Sequence, residues 1–312
     1  MRLGVYELIE PLGVGAMASV WAGRDSGGGR VAIKVAQAHV AADPRLLRLA
    51  HEEIRAMARL DHPHIPWVHG WGQVPPGMDL PVGAPWLAID HCSGGSLADH
   101  PPPGFRQVAR TLASLLDALA HAHARRVIHG DVKPANVLRA TSADERRGVM
   151  LADFGLAHVL GSSAATFAGS PSYMAPERIA GQSDRVGPWS DLFSVGALAH
   201  ELVCRRPAYD GETVEEVLAA VQSGERSAYR PVFDTPPRFA AWIDALLEPD
   251  PERRTRRAVA AWRALCRIAP GIPEPSAERV VPRTSGPLRG GSVQGGRLSE
   301  RPAPFVGREE PL

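Results

Sequence analysis

The chain has 312 residues, room for one large domain or two ordinary ones, and its 44% hydrophobic and 22% charged content suits a globular protein with a sizeable core. Lys and Arg total 35 against 34 Asp and Glu, a formal net charge of +1, so nothing global points to nucleic acid or an anionic membrane. Three cysteines, Cys92, Cys204 and Cys266, stand far apart with no CxxC pair, which argues against a disulfide framework or zinc site and fits a reducing cytosol.

Met1 is followed almost at once by the strand-like "YELIEPL", so no secretory signal is expected. Residues 1–38 alternate short apolar runs with Gly clusters ("YELIEPLG", "SVWAGR", "RVAIKVA"), the pattern of an antiparallel meander. From Pro44 to Leu60, the positions Leu46, Leu49, Ile54, Met57 and Leu60 lie close to one helical face. A proline-punctuated stretch leads to a further strand, "PWLAID", and the Gly-rich "HCSGGSL". Beyond residue 100 the period becomes helical in "FRQVARTLASLLDALAHAHARR", "SDLFSVGALAHELV", "TVEEVLAAVQSG" and "RFAAWIDALLE". The most apolar of these carry Asp, Glu or His and fall short of about 18 clean residues, so they read as core helices and not membrane spans. The expectation is a soluble, cytoplasmic protein with a strand-rich lobe over residues 1–90, a hinge at 90–95 and a helical lobe over 96–268. Residues 269–312, rich in Pro, Gly, Arg and Ser, are expected to be a flexible tail.

The chemistry concentrates at a few places. "LGVGAMASVW" supplies Gly13 and Gly15, with Ala18 at the third position; glycines let the backbone approach phosphate oxygens and offer N–H groups to them. An ordinary Gly-rich hairpin would look the same. "VAIK" places Lys34 inside an apolar strand, where it needs an anionic partner unless it lies on an edge facing solvent. On the following helix Glu52 and Glu53 differ by about 100° in direction, so only one can face Lys34. Glu53 is the better choice, because Met57 shares its face. Asp131, Asn136 and Asp153 offer hard oxygen ligands of the kind Mg²⁺ prefers. Asp131 can instead accept a proton from, or orient, a hydroxyl nucleophile, and Lys133 can neutralise a phosphoryl group in transfer. Singly these are a turn Asp, a solvent Lys and a capping Asn; jointly, at these spacings, chance is a poor explanation.

In order, "GVGAMASV", "VAIK", a helix Glu, "HGDVKPAN", "DFG" and "SYMAPE" resemble the motif set of eukaryotic-like (Hanks-type) serine/threonine protein kinases, in a bacterial style. The resemblance covers residues 6–268. It implies an α+β, two-lobed kinase fold, with a small antiparallel N-lobe carrying one helix and a larger, mainly helical C-lobe. It implies ATP as cofactor with Mg²⁺, Mn²⁺ being the alternative, and protein substrates bearing Ser or Thr, with neither nucleic acid nor membrane as a partner. Whether the chain forms a homodimer stays open.

Carried over by position, Leu12, Gly13, Val14, Gly15, Ala18, Val20, Ala32, Lys34, Asp90, Cys92 and Leu138 would line the ATP site. Glu53 would pair with Lys34, Asp131 would be the catalytic base, Lys133 the γ-phosphate contact, and Asn136 and Asp153 the metal ligands. Ile89 would guard the back pocket. Met57, Val68, His129 and Phe154 would stack as a column linking the lobes. Glu177 would pair with Arg254, and Asp191 would hold the catalytic loop.

The departures matter as much. Gly130 stands where the family usually has an Arg that meets a phosphate on the activation loop, so a loop phosphate has no such cation to order it. Ser162, Ser163 and Thr166 are the autophosphorylation candidates, with Ser170 further along the same loop. The segment "RATSADERRGVM" is longer than usual and is expected to make an extended hairpin turned away from the chemistry. The terminal "APFVGREEPL" resembles the opening of an ATPase module often fused behind bacterial kinases. Two rival readings remain: a pseudokinase or nucleotide-binding scaffold, against which Lys34, Asp131, Asn136 and Asp153 are all present, and a small-molecule phosphotransferase, against which "GSPSYMAPE" looks like a peptide-docking segment.

Overall fold

The computed structural model describes residues 1–154 and 171–272. Its first part is a six-stranded antiparallel sheet of β1 (Arg2–Leu3), β2 (Tyr6–Val14), β3 (Ala18–Arg24), β4 (Arg30–Ala36), β5 (Val68–Gln73) and β6 (Pro85–Asp90), in the order β1-β2-β3-β4-β6-β5. The side-chain period of two divides β4 between two environments. Val31, Ile33 and Val35 join Leu3, Tyr6, Leu8 and Trp86 in a cluster confined to this lobe. Ala32 belongs instead to the main core with Leu87 and Ile89. Lys34 falls on the Ala32 side and is registered opposite Leu87, so the strand pattern itself turns it toward the inter-lobe side.

Two helices follow β4, where one was expected. A short α1 (Ala38–Ala42) precedes α2 (Pro44–Met57), and Asp43 separates them. The Asp43 carboxylate accepts the Arg45 N–H at 2.7 Å, and Pro44 occupies the first turn, where its missing N–H costs nothing. Glu53, Ile54 and Met57 form the buried face of α2, while Glu52 is exposed.

The larger lobe is built on α3 (Phe105–Ala124), which packs against α5 (Pro188–Cys204) and α8 (Ala258–Ile268). A short α4 (Pro176–Ile179), α6 (Val214–Ser223) and α7 (Arg238–Leu246) complete it. The third helix stops two residues short of its apolar pattern, since Arg126 adopts φ 59°. Among the described residues, no helix is long and apolar enough to cross a membrane.

Beside the segment that follows β6 lies a two-stranded hairpin of β7 (Val137–Ala140) and β8 (Gly148–Leu151). The segment after residue 90 is laced onto β7: Gly94 N–H donates to Arg139 O, Arg139 N–H to Gly95 O, and Leu97 N–H to Val137 O, all at 2.8–2.9 Å. The expectation that this hairpin points away from the chemistry is corrected. Its tip folds onto residues 90–93, because Asp144 and Arg146 find their hydrogen-bond partners there. Burying a carboxylate and a guanidinium is tolerable only where such partners exist.

Candidate active site

Three charged side chains meet where β4, α2 and the segment after β8 converge. Lys34 Nζ donates to Glu53 Oε1 and to Asp153 Oδ1, each at 3.1 Å. Burial pushes the Lys34 ammonium down, but the charges of Asp153 and Glu53 outweigh it and hold the group above the ordinary lysine value. Burial keeps Glu53 above the usual carboxylate range despite Lys34. Burial would raise Asp153 too, yet the Lys34 ammonium beside it holds it lower. Asp153 has φ 62°, a left-handed backbone that Asp tolerates better than most residues, and such outliers gather at functional sites.

A second group gathers around Asp131, at the start of the loop that leads through a 3₁₀ turn, Pro134–Asn136, into β7. Lys133 Nζ lies 2.8 Å from Asp131 Oδ2. The Asn136 side-chain N–H₂ donates to Asp131 O at 2.8 Å and Oδ2 at 2.9 Å, which leaves the amide oxygen for another partner.

The loop behind Asp131 is held from below. Asp191, fully buried on α5, accepts the N–H of His129 at 2.9 Å, the N–H of Gly130 at 2.6 Å and His123 Nε2 at 2.7 Å. Burial would raise its carboxyl, but the His123 hydrogen bond and nearby positive charge hold it below the usual range. His129 Nδ1 accepts the Asp131 N–H at 3.1 Å, and its Nε2 lies 2.8 Å from Ala152 O. That pattern requires the neutral ring with its proton on Nε2, and burial favours the same state by lowering the pKa. The ring sits 4.5 Å from that of Phe154, while Met57, Val68 and Phe154 share the main core.

Around the cleft, the turn between β2 and β3 is closed by Gly15 N–H to Ala18 O at 2.8 Å. Gly13 is registered opposite Val20. Leu12 and Val14 are exposed, Val14 at 76%. Ala32 and Ile89 face each other in register and are buried, and Leu138 is half-buried on β7. The Cys92 thiol contacts Met150 Sδ at 3.8 Å, and burial, with the carboxylates of Asp90 and Asp144, pushes its pKa up to about 12. Such an environment packs the thiol and disfavours its thiolate. Ser162, Ser163, Thr166 and Ser170 lie outside the described residues, as do residues 273–312 with "APFVGREEPL".

Some contacts had no sequence signal. Arg178, half-buried on α4, donates to the carbonyl of Gly130 and senses the charges of Asp191, Asp131 and Glu177. The expected pair beside it is present: Arg254 chelates Glu177 at 2.8 and 2.9 Å, with both side chains fully buried. Asp144 and Arg146, which hold Ser93 and Asp90, likewise carry no mark in the sequence. A lone Asp or Arg in a polar turn resembles any solvated residue until its partners are known.

Comparison with known proteins agrees with this geometry. The protein kinase domain family matches residues 6–262. The chain is 32% identical to serine/threonine-protein kinase Pkn1 of Myxococcus xanthus over 230 residues, covering 71% of this chain and 32% of that protein. It is 30% identical to serine/threonine-protein kinase PknB of Mycobacterium tuberculosis over 300 residues, covering 88% of this chain and 44% of the relative. It thus spans less than half of these relatives' length, 32% and 44% respectively. A crystal structure of Rad53 1–466 in complex with AMP-PNP superposes with a TM-score of 0.65 at 23% identity, over 83% of this chain and 64% of that one, a likeness of fold. Ordered motifs, the two-lobed fold and the match over 6–262 together make this chain a member of the protein kinase family, of the bacterial Hanks serine/threonine type.

Proposed function

We propose that the chain is an active serine/threonine protein kinase domain that transfers the γ-phosphoryl group of ATP to Ser and Thr hydroxyls of cytoplasmic proteins and of itself. The observation that carries this reading is Lys34 held between Glu53 and Asp153 at 3.1 Å from each. A scaffold that had lost catalysis would have no need to keep this charge triad beside an intact Asp131, Lys133 and Asn136 group.

In this reading Lys34 meets the α- and β-phosphates, under the backbone of Gly13 to Gly15 and beside the apolar Leu12, Val14, Ala18, Val20, Ala32 and Leu138. The backbone of Asp90 and Cys92 meets the adenine edge. Asn136 and Asp153 would hold Mg²⁺ (or Mn²⁺): the free amide oxygen of Asn136 and the carboxylate of Asp153 are the hard donors such an ion takes. When bound, the ion supplies neutralisation of phosphate charge. Asp131 orients the substrate hydroxyl and accepts its proton, and Lys133, already beside Asp131, stabilises charge on the transferred group. Catalysis is then mostly positioning and electrostatics, as phosphoryl transfer requires.

Because residue 130 is Gly, the kinase is of the type whose loop needs no phosphate–arginine pair. Replacing Ser162, Ser163 and Thr166 together by Ala leaves most of the activity; a large loss would count against this part of the reading.

Intact-mass spectrometry after incubation with Mg²⁺ and ATP, beside Asp131→Asn, tests the whole. Mass steps of phosphate on the wild type and on an added protein substrate, absent with the variant, are expected. Nucleotide binding without any transfer to either would favour the scaffold instead, and transfer only to free sugars or aminoglycosides would favour the small-molecule phosphotransferase.

A further inference from the structure

The tip of the β7–β8 hairpin is bound to the hinge on two sides. On one side, Asp144 is buried in the turn. Its Oδ2 accepts the Ser93 N–H at 3.0 Å, the Ser93 O–H at 2.8 Å and the Thr141 N–H at 2.7 Å, and its Oδ1 lies 3.4 Å from His91 Nδ1. On the other side, Arg146 donates to Ile65 O at 2.7 Å, to His62 O and to Asp90 Oδ2 at 3.1 Å, with its guanidinium 4.5 Å above the Trp67 ring. Asp90 also accepts the Trp67 N–H at 2.8 Å and lies 2.8 Å from His69 Nε2. Residues 90 and 93 are therefore both fixed by side chains from one hairpin tip, on either side of Cys92.

We infer that Asp144 and Arg146 are positioning residues for the nucleotide: they hold the hinge backbone in its binding geometry before the ligand arrives. The inference rests on the reading of residues 90–92 as the adenine-contacting segment. A segment between two lobes would otherwise have many conformations, and binding would have to order it; a hinge ordered in advance does not carry that entropy cost. Arg suits the task, because its planar fork can satisfy three acceptors and stack on an indole at once. Among the described residues, His69, Asp90 and Glu145 have metal-ligand spacing, but the Arg146 cation already sits on Asp90 Oδ2 and favours a structural brace over a metal site.

The experiment uses the full chain and three variants, Arg146→Met, Asp144→Asn and the exposed control Arg147→Met. Equilibrium binding of a fluorescent ATP analogue with Mg²⁺ is measured beside hydrogen exchange of the Gly94, Leu97 and Arg139 amides. Affinity is expected to fall roughly 10-fold (about 1.4 kcal/mol) in the first two variants and not in the control, with kcat within about twofold at saturating ATP and faster exchange at the hinge. Equal affinity and unchanged exchange in both brace variants would overturn the inference. If the wild type bound no nucleotide, the kinase reading would fail, and the exchange data alone would then decide whether the brace exists. If Arg146→Met did not fold, the milder Asp144→Asn would decide it.

Discussion

Lys34 has two carboxylate partners, and the balance between them defines the site. Removing the Glu53 charge leaves Lys34 to Asp153 alone and, in the proposed reading, frees it to leave the phosphate position. Charge-assisted hydrogen bonds contribute about 1.5–3 kcal/mol, so Glu53→Gln should lower kcat/KM by roughly 10- to 100-fold, read in a steady-state assay with a protein substrate. A fall of less than about twofold would mean that Glu53 does not position Lys34. At Gly130 the issue is backbone and charge together. The residue has φ 74°, its N–H is bonded to Asp191 and its carbonyl accepts from Arg178. Arg178→Gln removes that cation and, if Asp131 acts as proposed, should lower kcat about 10-fold while leaving KM for ATP nearly unchanged, because the loop it steadies carries Asp131 and not the proposed adenine contacts. Equal effects on kcat and KM would point to general destabilisation instead. The pairing of Lys34 with Glu53 was legible in the sequence, since a strand Lys followed by a helix Glu sharing a face with Met57 is a distinctive pattern. The sequence was silent on Arg178, because a carbonyl acceptor leaves no mark on residue identity.

Among the elements, α4 and the loop after α7 are joined by one buried ion pair. Arg254 donates to both Glu177 oxygens and to the carbonyls of Trp189, Glu248 and Pro249, and its guanidinium lies 5.0 Å from the Phe193 ring. Removing one partner strands a charge with no access to water. Arg254→Met should therefore destabilise the fold by about 3–5 kcal/mol in urea titration, and a loss below about 1 kcal/mol would show that water reaches the site. Element types were legible where apolar periodicity was long, as in α3 and α5. Less was legible in the proline-rich stretch before β6. Strand β5 hides there because its "VHGWGQ" has two glycines and no clean alternation, and Gly70 and Gly72 are kept small by Tyr6 and Trp86, against which a Cβ would fall within 3 Å. Helix α1 is too short to show a period, and β7 and β8 are four residues each, below the length at which a pattern can be read.

For the whole molecule, a core runs from the inner face of the sheet through α2 and the catalytic loop into the helical lobe, so pH effects on its buried groups are shared. Burial lowers the pKa of His64, His129 and His200, and burial with Arg125 brings His121 to about 4. These rings stay neutral when folded and take up protons when unfolded below about pH 6.5, so acid favours the unfolded chain. The melting temperature should hold steady above about pH 7 and decline as pH falls through 6 toward 4. The depressed carboxyls of Asp153 and Asp191 add a further loss below about pH 4. A melting temperature flat from pH 7 to 4.5 would refute the buried-neutral assignment of the histidines.

By itself the sequence determined the family and the lobe order and singled out the residues proposed to carry phosphoryl transfer, because that chemistry needs particular residue types in a fixed order along the chain. Which face Lys34 takes stayed open in the sequence, and the register of β4 against β6 decided it. Only the tertiary structure decided what holds those residues in place: Arg178 on Gly130, Asp191 under the catalytic loop, and the Asp144 and Arg146 brace on the hinge. All but the Arg146–Asp90 pair are side chains bound to backbone atoms more than forty residues away, and every residue carries the same backbone atoms, so these partners exist only once the chain has folded.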